Sequence, residues 1–163
     1  MLFILTGPPR AGKNTIGELL AKQFDRGVLI DVDKVRWMVI KGHMAPWEGS
    51  EGKKQQILGV VNTCILTKNY IDSGFNVVIA DVIDSQTAII YKDKLKEYRP
   101  KIILLLPAFE EIIRRKKYRP SFIIEQEIEM LYKGQEKFKE YDEKIDNTNL
   151  TPNQVVEKLF NLK

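Results

Sequence analysis

Residues 7–15 have the types and the spacing of a loop that binds phosphate groups. Gly7 is followed after four residues by Gly12 and Lys13. Glycine has no Cβ atom and lets successive backbone N–H groups curl around an anion, to which lysine adds a point charge. An apolar run precedes the loop and a helical pattern follows it, so a helix dipole would point at the anion. The pattern predicts a nucleotide site rather than a plain glycine turn.

Asn14 stands where such loops normally have Ser or Thr, whose hydroxyl binds Mg²⁺, and Thr15 comes one place later. The amide oxygen of Asn14 can bind Mg²⁺ weakly, or the metal can keep its waters and bind phosphates and carboxylates. Thr15 can donate to the α-phosphate. We expect an active loop with an atypical metal shell. The residues of the loop expected to contact the nucleotide are Gly7, Pro8, Pro9, Arg10, Ala11, Gly12, Lys13, Asn14 and Thr15.

Asp33 and Arg36 lie in the stretch 30-IDVDKVR-36, three residues apart, and so share one face of the next helix. A carboxylate here can take the proton from an acceptor hydroxyl, and an arginine can bind an anionic acceptor or the transferring phosphoryl group. The alternative is that Asp33 caps the helix and Arg36 is solvated. With a phosphate loop in the same chain, we expect both residues to be catalytic.

Asp81 ends an apolar strand in 78-VIADVID-84. Phosphoryl-transfer enzymes place a carboxylate at such a strand end to hold magnesium-bound waters or to contact the acceptor. Capping of the strand end is the alternative. Asp84 reads as a helix-entry residue. The expected metal ligands are therefore Asn14 and Asp81.

The basic stretch 114-RRKKYR-119 follows a strand–Pro–helix unit. Alone it would indicate a solvated face or a nucleic-acid patch. Its position is that of the lid of P-loop kinases, whose arginines close over ATP and neutralise charge on the transferring group. We expect Arg115 and Arg119 to be catalytic and Arg114 to contact the nucleotide, although periodicity leaves open which of the adjacent pair faces the site.

The glycine-rich loop 42–52 follows the Asp33–Arg36 helix and suits a cover over an acceptor. It contains His43 and Trp47. A lone histidine is more often structural than catalytic. Trp47 or Trp37 could stack on an acceptor ring, and core packing explains either equally well.

These candidates require a sheet edge to bring them together. Five apolar segments read as strands, at 2–6, 28–32, 76–80, 101–106 and 144–147. Helical patterns cover 13–24, 53–72, 85–98 with Ser85 as N-cap, 108–117, a long segment opened by Pro120, and 153–161 after Thr151 and Pro152. We therefore expect a three-layer α/β P-loop NTPase fold, with a five-stranded parallel sheet and helices on both faces. Ligands of such folds bind at the carboxyl ends of the strands, where every candidate falls.

Length and composition fit one soluble domain over residues 1–163, with a lid at about 114–121. The net charge of +4 suits anionic ligands without demonstrating nucleic-acid binding. Cys64 is the single cysteine, which excludes an intrachain disulfide and favours a reducing compartment. No apolar run approaches the ~20 residues of a membrane span, and no signal peptide is evident. We expect a cytoplasmic protein.

The chain resembles the small P-loop kinases related to polynucleotide kinase and chloramphenicol phosphotransferase, with a GKxT loop like that of adenylate kinases. The resemblance rests on the motifs above and on 141-YDEKIDNTNLTPNQVV-156. It implies transfer of the γ-phosphoryl group of ATP to a hydroxyl, with Mg²⁺ as cofactor. It also implies Asp33 as base, Arg36 as phosphate contact, and Asn147 and Asn149 near the adenine.

The acceptor stays open at this stage. A small hydroxyl metabolite or nucleoside ranks first, a nucleotide second and a nucleic-acid 5′ end third, in a monomer or homodimer that does not enter a membrane. The alternative of a different class is a nucleotide-binding module or slow NTPase without acceptor chemistry, which would not need a base at Asp33.

Overall fold

The sheet is parallel throughout, as the sequence predicts. The computed structural model describes residues 1–117 and 123–161. Within them, five strands pair in the order β2-β3-β1-β4-β5. The strands are β1 (Leu2–Thr6), β2 (Gly27–Asp31), β3 (Asn76–Ala80), β4 (Lys101–Leu105) and β5 (Glu143–Ile145).

Helices cover both faces of this sheet and complete the three-layer α/β architecture of P-loop kinases. They are α1 (Lys13–Ala21), α2 (Val32–Arg36), α3 (Gly49–Asp72), α4 (Ser85–Lys94), α5 (Phe109–Lys117), α6 (Glu125–Lys137) and α7 (Pro152–Phe160). Among the described residues, no helix has the length and apolar character needed to cross a membrane.

Consecutive apolar residues of the strands enter different cores, because successive side chains of a strand point to opposite faces. Leu2 and Ile4 pack on one face, in the core that includes Val60 of α3 and Tyr91 of α4. Phe3 and Leu5 pack on the other, in a core that receives residues of α1, α5, α6 and α7. The unbroken apolar strands of the sequence are thus explained by burial on both sides.

Several helices and strands begin or end at residues other than the predicted ones, in part because side chains cap the helices. β2 ends at Asp31 and Val32 already belongs to α2, because the Asp31 carboxylate accepts a hydrogen bond from the Asp33 N–H and caps that helix. Asp84, and not Ser85, caps α4, with reciprocal bonds to Thr87. Shifts of one to four residues also occur at α1, α3, α4, α5, α7, β4 and β5. Pro120 lies outside the described residues, and α6 begins at Glu125.

The buried faces of two helices also differ from the prediction. The helical spacing of apolar residues predicts inward Ile65 on α3 and inward Ile124 before α6, and this prediction is wrong, since both are exposed. The face of α3 that is buried carries small and polar residues beside apolar ones, and hydropathy alone does not select it. Its residues are Gly52, Gln56, Gly59, Val60, Thr63, Cys64 and Thr67.

Candidate active site

Residues 7–15, the phosphate loop, connect the end of β1 to the start of α1. Gly7 has φ = 145°, and a Cβ atom there would lie 2.2 Å from the carbonyl oxygen of Leu105, so only glycine fits beside β4. Gly12 has φ = 97° and is the N-cap of α1. The first N–H groups of α1 lack intrahelical partners and carry the positive end of the helix dipole. This geometry suits an anion at the end of β1.

The ammonium group of Lys13 lies across the mouth of this loop. Its Nζ donates to the carbonyl oxygens of Gly7 and Pro8 at 2.9 and 3.0 Å. Burial lowers the pKa of Lys13 to about 8, against the opposing effect of nearby carboxylates, chiefly Asp33 and Asp81. Neutral carbonyls are weaker partners for an ammonium than phosphate oxygens are. A bound phosphate would therefore compete well for this group.

Asn14 contacts a carboxylate at the end of β2, which is an edge strand of the sheet. Its Nδ2 donates to Oδ2 of Asp31 at 2.9 Å, while the other oxygen of Asp31 accepts from the Asp33 N–H at 3.1 Å. With its nitrogen engaged in this way, Asn14 has its amide oxygen left to offer to a metal. Asp31 itself lines the cavity in front of the loop.

Asp33 and Arg36 form an ion pair on one face of α2. The Asp33 side chain is 62% exposed, whereas that of Arg36 is only 15% exposed. The stem of Arg36 packs on α3 at Gly59, where a Cβ atom would lie 2.6 Å from Cγ of the arginine. Both structural alternatives are therefore wrong: Asp31 is the cap of α2, and Arg36 is not a solvated side chain. Arg36 holds an accessible carboxylate in position.

Asp81 follows β3 directly and is buried. It accepts hydrogen bonds from the Tyr91 hydroxyl at 3.0 Å and from the Val82 N–H at 2.8 Å. Burial raises the pKa of Asp81 to about 6, although Arg36 and the Tyr91 bond oppose that shift. The carboxyl group is thus held rigidly and lines the same cavity as Lys13.

The oxygen donors near Lys13 fit a magnesium ion that is held mostly by phosphates and water. In the part of the chain that is described, no three His, Cys, Asp or Glu side chains form a metal cluster. Mg²⁺ commonly takes only one or two carboxylates and keeps several waters beside substrate phosphates. Asn14, Asp31 and Asp81 line one cavity and supply oxygen donors of that kind.

Arg115 contacts the phosphate loop through the backbone carbonyl groups of that loop. Its guanidinium donates to the carbonyl oxygens of Arg10 at 3.2 Å and Asn147 at 3.0 Å, and to the Glu111 carboxylate at 2.7 Å. Arg114 is mostly exposed and pairs with the same Glu111. Hydrogen bonds from Arg114 and Arg115 lower the pKa of Glu111 to about 2. Of the adjacent pair, the one that reaches the loop is therefore Arg115.

Arg119, the other arginine expected in the lid, lies outside the described residues. Its catalytic role stays a prediction from the sequence.

Two cavities meet at the phosphate loop. The first, the carboxylate cavity, has a volume of about 290 Å³ and is lined by Lys13, Asp31, Asp33, Arg36 and Asp81. The second, the asparagine cavity, has a volume of about 590 Å³ and is lined by Arg114, Arg115, Asn147 and Asn149. Arg10, Gly12 and Thr15 border both. A chain of phosphates on the loop would therefore have one end in each cavity.

Trp47 belongs to the loop before α3 and lines the carboxylate cavity. Its Nε1 donates to Oε1 of Glu127 on α6 at 3.1 Å, so the indole bridges two elements over the cavity. Trp37 is exposed and stacks on His43, with ring centroids 4.1 Å apart. Of the two tryptophans considered as ring-stacking candidates, Trp47 is the one that lines this cavity.

Three residues of the site escaped the sequence reasoning. Asp31 lies in 30-IDVDKVR-36 beside Asp33 and was given no role, although the two carboxylates of D-x-D at that point were a usable signal. Gln56 is a buried polar residue that lines the carboxylate cavity. Tyr91, which holds Asp81, lies ten residues further along the chain. Neither Gln56 nor Tyr91 belongs to a short motif, so no local pattern marks them.

Comparison with known proteins establishes the fold. No protein-family model matches the chain, and no curated protein has a similar sequence. Among solved structures, a sugar kinase from Janibacter sp. matches with a TM-score of 0.73 at 16% identity, over 98% of this chain and 91% of that one. Shikimate kinase from Acinetobacter baumannii, solved with shikimate, matches with a TM-score of 0.66 at 23% identity, over 98% and 90%.

A third matched structure is a kinase named for a different substrate. Thymidylate kinase from Candida albicans gives a TM-score of 0.68 at 16% identity, over 99% of this chain and 89% of that one. At such identities the likeness shows the P-loop kinase fold. It does not single out the polynucleotide kinase and chloramphenicol phosphotransferase group.

Proposed function

We propose that the protein is an ATP- and Mg²⁺-dependent kinase that phosphorylates a hydroxyl group of a small molecule. One observation carries the proposal: the phosphate loop separates two cavities, and an accessible carboxylate, Asp33, lines the one that also holds Lys13. A nucleotide-binding module would need the loop and the asparagine cavity, but not a carboxylate held by an arginine in a second cavity. The kinase fold of the matched structures supports the same reading.

The nucleotide would place its base in the asparagine cavity and its triphosphate along the loop amides. Lys13 and the N-terminus of α1 would attract the phosphate charge. Asp33 would take the proton of the acceptor hydroxyl as the hydroxyl oxygen attacks the γ-phosphorus. The bond between the γ-phosphorus and the β,γ-bridging oxygen would break, and ADP would leave. Arg36 would orient Asp33 and stabilise the charge that develops on the transferring group. Positioning and charge neutralisation supply most of the rate.

Asn14, Asp31 and Asp81 would hold the magnesium ion, which neutralises charge on the β- and γ-phosphates when it is bound. Arg115 fixes the carbonyl side of the loop, and Arg119 and Arg114 are assigned to the lid over the nucleotide.

A small-molecule acceptor suits this site better than a nucleic-acid end. The hydrogen bond of Trp47 to Glu127 connects the loop before α3 to α6, and the carboxylate cavity that Trp47 lines has a volume of about 290 Å³, which suits a small molecule. The matched sugar kinase and shikimate kinase are named for small hydroxyl compounds. A nucleic-acid kinase would instead be retained on oligonucleotides with a steep dependence on salt.

The test compares Asp33→Asn with Asp25→Asn, the same change at an exposed aspartate between α1 and β2. ATP turnover is measured with and without a panel of sugars, nucleosides and other hydroxyl compounds. We expect an acceptor that stimulates turnover, a loss of at least 100-fold in that stimulated rate for Asp33→Asn, and no change for Asp25→Asn. Hydrolysis that no acceptor stimulates and that Asp33→Asn leaves intact would contradict the proposal and favour a module or NTPase.

A further inference from the structure

A third space, the side chamber, adjoins the carboxylate cavity and lies between α3, α4 and α6. This chamber has a volume of about 320 Å³. The two spaces share one wall, formed by Pro46, Trp47, Gln56, Val82 and Leu131. Because the same residues border both spaces, the far end of a longer acceptor whose hydroxyl lies at Asp33 would lie against the side chamber.

The walls of the side chamber are mainly apolar. Ile83 and Val82 line one side, and Leu131 and Phe138 line the side formed by α6. Flat or apolar groups bind such walls most favourably, because apolar surface is removed from water. Trp47 adds an aromatic face to the wall that the two spaces share.

The chamber also has a polar wall made by an ion pair. Lys53 Nζ lies 2.5 Å from Oδ2 of Asp84, and it also donates to Oε1 of Gln56 at 2.9 Å. The side chains of Lys53 and Asp84 are 36% and 45% exposed, so both border the accessible space. Burial alone would raise the pKa of Asp84, but hydrogen bonds from Lys53 and Thr87 hold it below its ordinary value. The Asp84 carboxylate is therefore ionised near neutral pH.

Paired charges of opposite sign disfavour a charged ligand. An anionic group at Lys53 would meet the Asp84 carboxylate, and one at Arg36 would meet Asp33. A neutral group with a donor and an acceptor can bind both members of the Lys53–Asp84 pair without breaking it. Lys137 also borders the chamber but is exposed, where water screens its charge.

We propose that the side chamber is a specificity subsite for the far half of the acceptor, and that this half is an uncharged, flat or apolar group with amide- or hydroxyl-type hydrogen-bonding atoms. The acceptor is then a neutral hydroxyl compound of nucleoside size and not a phosphate ester. This inference rests on the proposed kinase function, whose acceptor it specifies.

Gly134 on α6 offers a way to fill the chamber without touching the catalytic residues. It lines the side chamber, and a Cβ atom added there would meet no heavy atom within 4 Å. Gly134→Phe would add a ring at the wall of the chamber, while Gly134→Ala is the matched control that also removes the helical glycine but adds little volume. Binding of magnesium-ADP to each variant reports on folding and on the nucleotide site.

The experiment uses ligand-observed NMR on the protein saturated with magnesium-ADP. The probes are the four ribonucleosides, phenyl-bearing N-acyl amino alcohols, the monophosphate esters of both sets, and ribose. We expect neutral long probes to bind, their phosphate esters to bind at least 10-fold more weakly, and Gly134→Phe to weaken the neutral probes at least 10-fold with Gly134→Ala within twofold of the wild type.

Three results would overturn the inference while leaving the kinase proposal standing. They are equal or tighter binding of the phosphate esters, unchanged affinity of the neutral probes in Gly134→Phe, and no binding of any neutral probe to a protein that binds magnesium-ADP. Absence of magnesium-ADP binding to the wild type would instead refute the kinase proposal and this inference with it.

Discussion

Asn14 donates a hydrogen bond from Nδ2 to Oδ2 of Asp31 at 2.9 Å and so joins the first turn of α1 to the end of β2. The same carboxylate caps α2 through the Asp33 N–H. The residue after the loop lysine therefore fixes the turn that carries Asp33. This contact gives a positional reason for asparagine where a hydroxyl residue is usual.

Removal of the Asn14 amide should weaken the response to magnesium. We expect Asn14→Ala to raise the Mg²⁺ concentration at half-maximal ATP turnover at least fivefold, because a metal-binding oxygen and the contact that positions Asp31 are both lost. Asn14→Ser should lie nearer the wild type, since it supplies a hydroxyl. ADP binding without Mg²⁺ should not change. An identical Mg²⁺ titration for wild type and Asn14→Ala would exclude this role.

Gly59 should control activity through Arg36. Gly59→Ala would place a Cβ atom 2.6 Å from Cγ of Arg36 and displace that side chain from Asp33. We expect acceptor-dependent kcat/KM to fall about tenfold or more, with affinity for magnesium-ADP within twofold of the wild type. Gly134→Ala is the control, because it changes a helical glycine in open space. Equal kinetics for the two alanine variants would show that the Arg36 position is not critical.

Asp81 should lower the stability of the protein at neutral pH. Its pKa is about 6 in the folded protein and 3.8 ordinarily, so between these values only the folded state keeps the proton. Stability from this group is present below pH 4 and is lost as the pH rises through 6. A shift of about two units corresponds to about 3 kcal/mol at most.

Asp81→Asn should therefore increase the free energy of unfolding at pH 7.5, with no gain near pH 4, and should impair phosphoryl transfer. Urea titrations at several pH values without nucleotide or Mg²⁺ measure the difference. Asp25→Asn serves as the exposed control. A loss of stability at pH 7.5 in Asp81→Asn would mean that burial of this carboxylate is not the dominant effect.

Arg115 should matter more than Arg114 for nucleotide affinity. Arg115 donates to carbonyl oxygens of the phosphate loop and of Asn147, whereas Arg114 is mostly exposed. We expect Arg115→Met to raise the Kd of magnesium-ADP about tenfold, and Arg114→Met to raise it less. Fluorescence titration with a labelled nucleotide measures both. A larger effect at Arg114 would reverse the assignment.

The sheet was predictable because most of its strands are short runs of consecutive apolar residues. The bounds of β1 and β3 agree with the prediction. Runs such as 2-LFILT-6 and 76-NVVIA-80 are too apolar for an exposed face, so they predict strands that are buried on both faces. The parallel arrangement follows from strands alternating with helices. The ends of the elements were less accurate, because they depend on single side-chain bonds such as those of Asp31 and Asp84.

Contacts between distant segments were not predictable from the sequence. Gln135 on α6 donates to the carbonyl oxygen of Ile83 at 2.7 Å and bonds Thr6 beneath the site, and Arg36 packs on Gly59. Each depends on how helices cross the sheet, and the residues involved are separated by more than 20 positions. The side chamber arises in the same way, from three helices that no local pattern relates.

The most direct test of the account is calorimetric titration of the wild-type protein and of Lys13→Ala with a non-hydrolysable ATP analogue and Mg²⁺. The account predicts one nucleotide per chain for the wild type and at least 100-fold weaker binding for Lys13→Ala, because the ammonium group that lies across the loop mouth is then lost. No heat of binding for the wild type, or equal affinity of the two proteins, would contradict the claim that residues 7–15 bind a triphosphate.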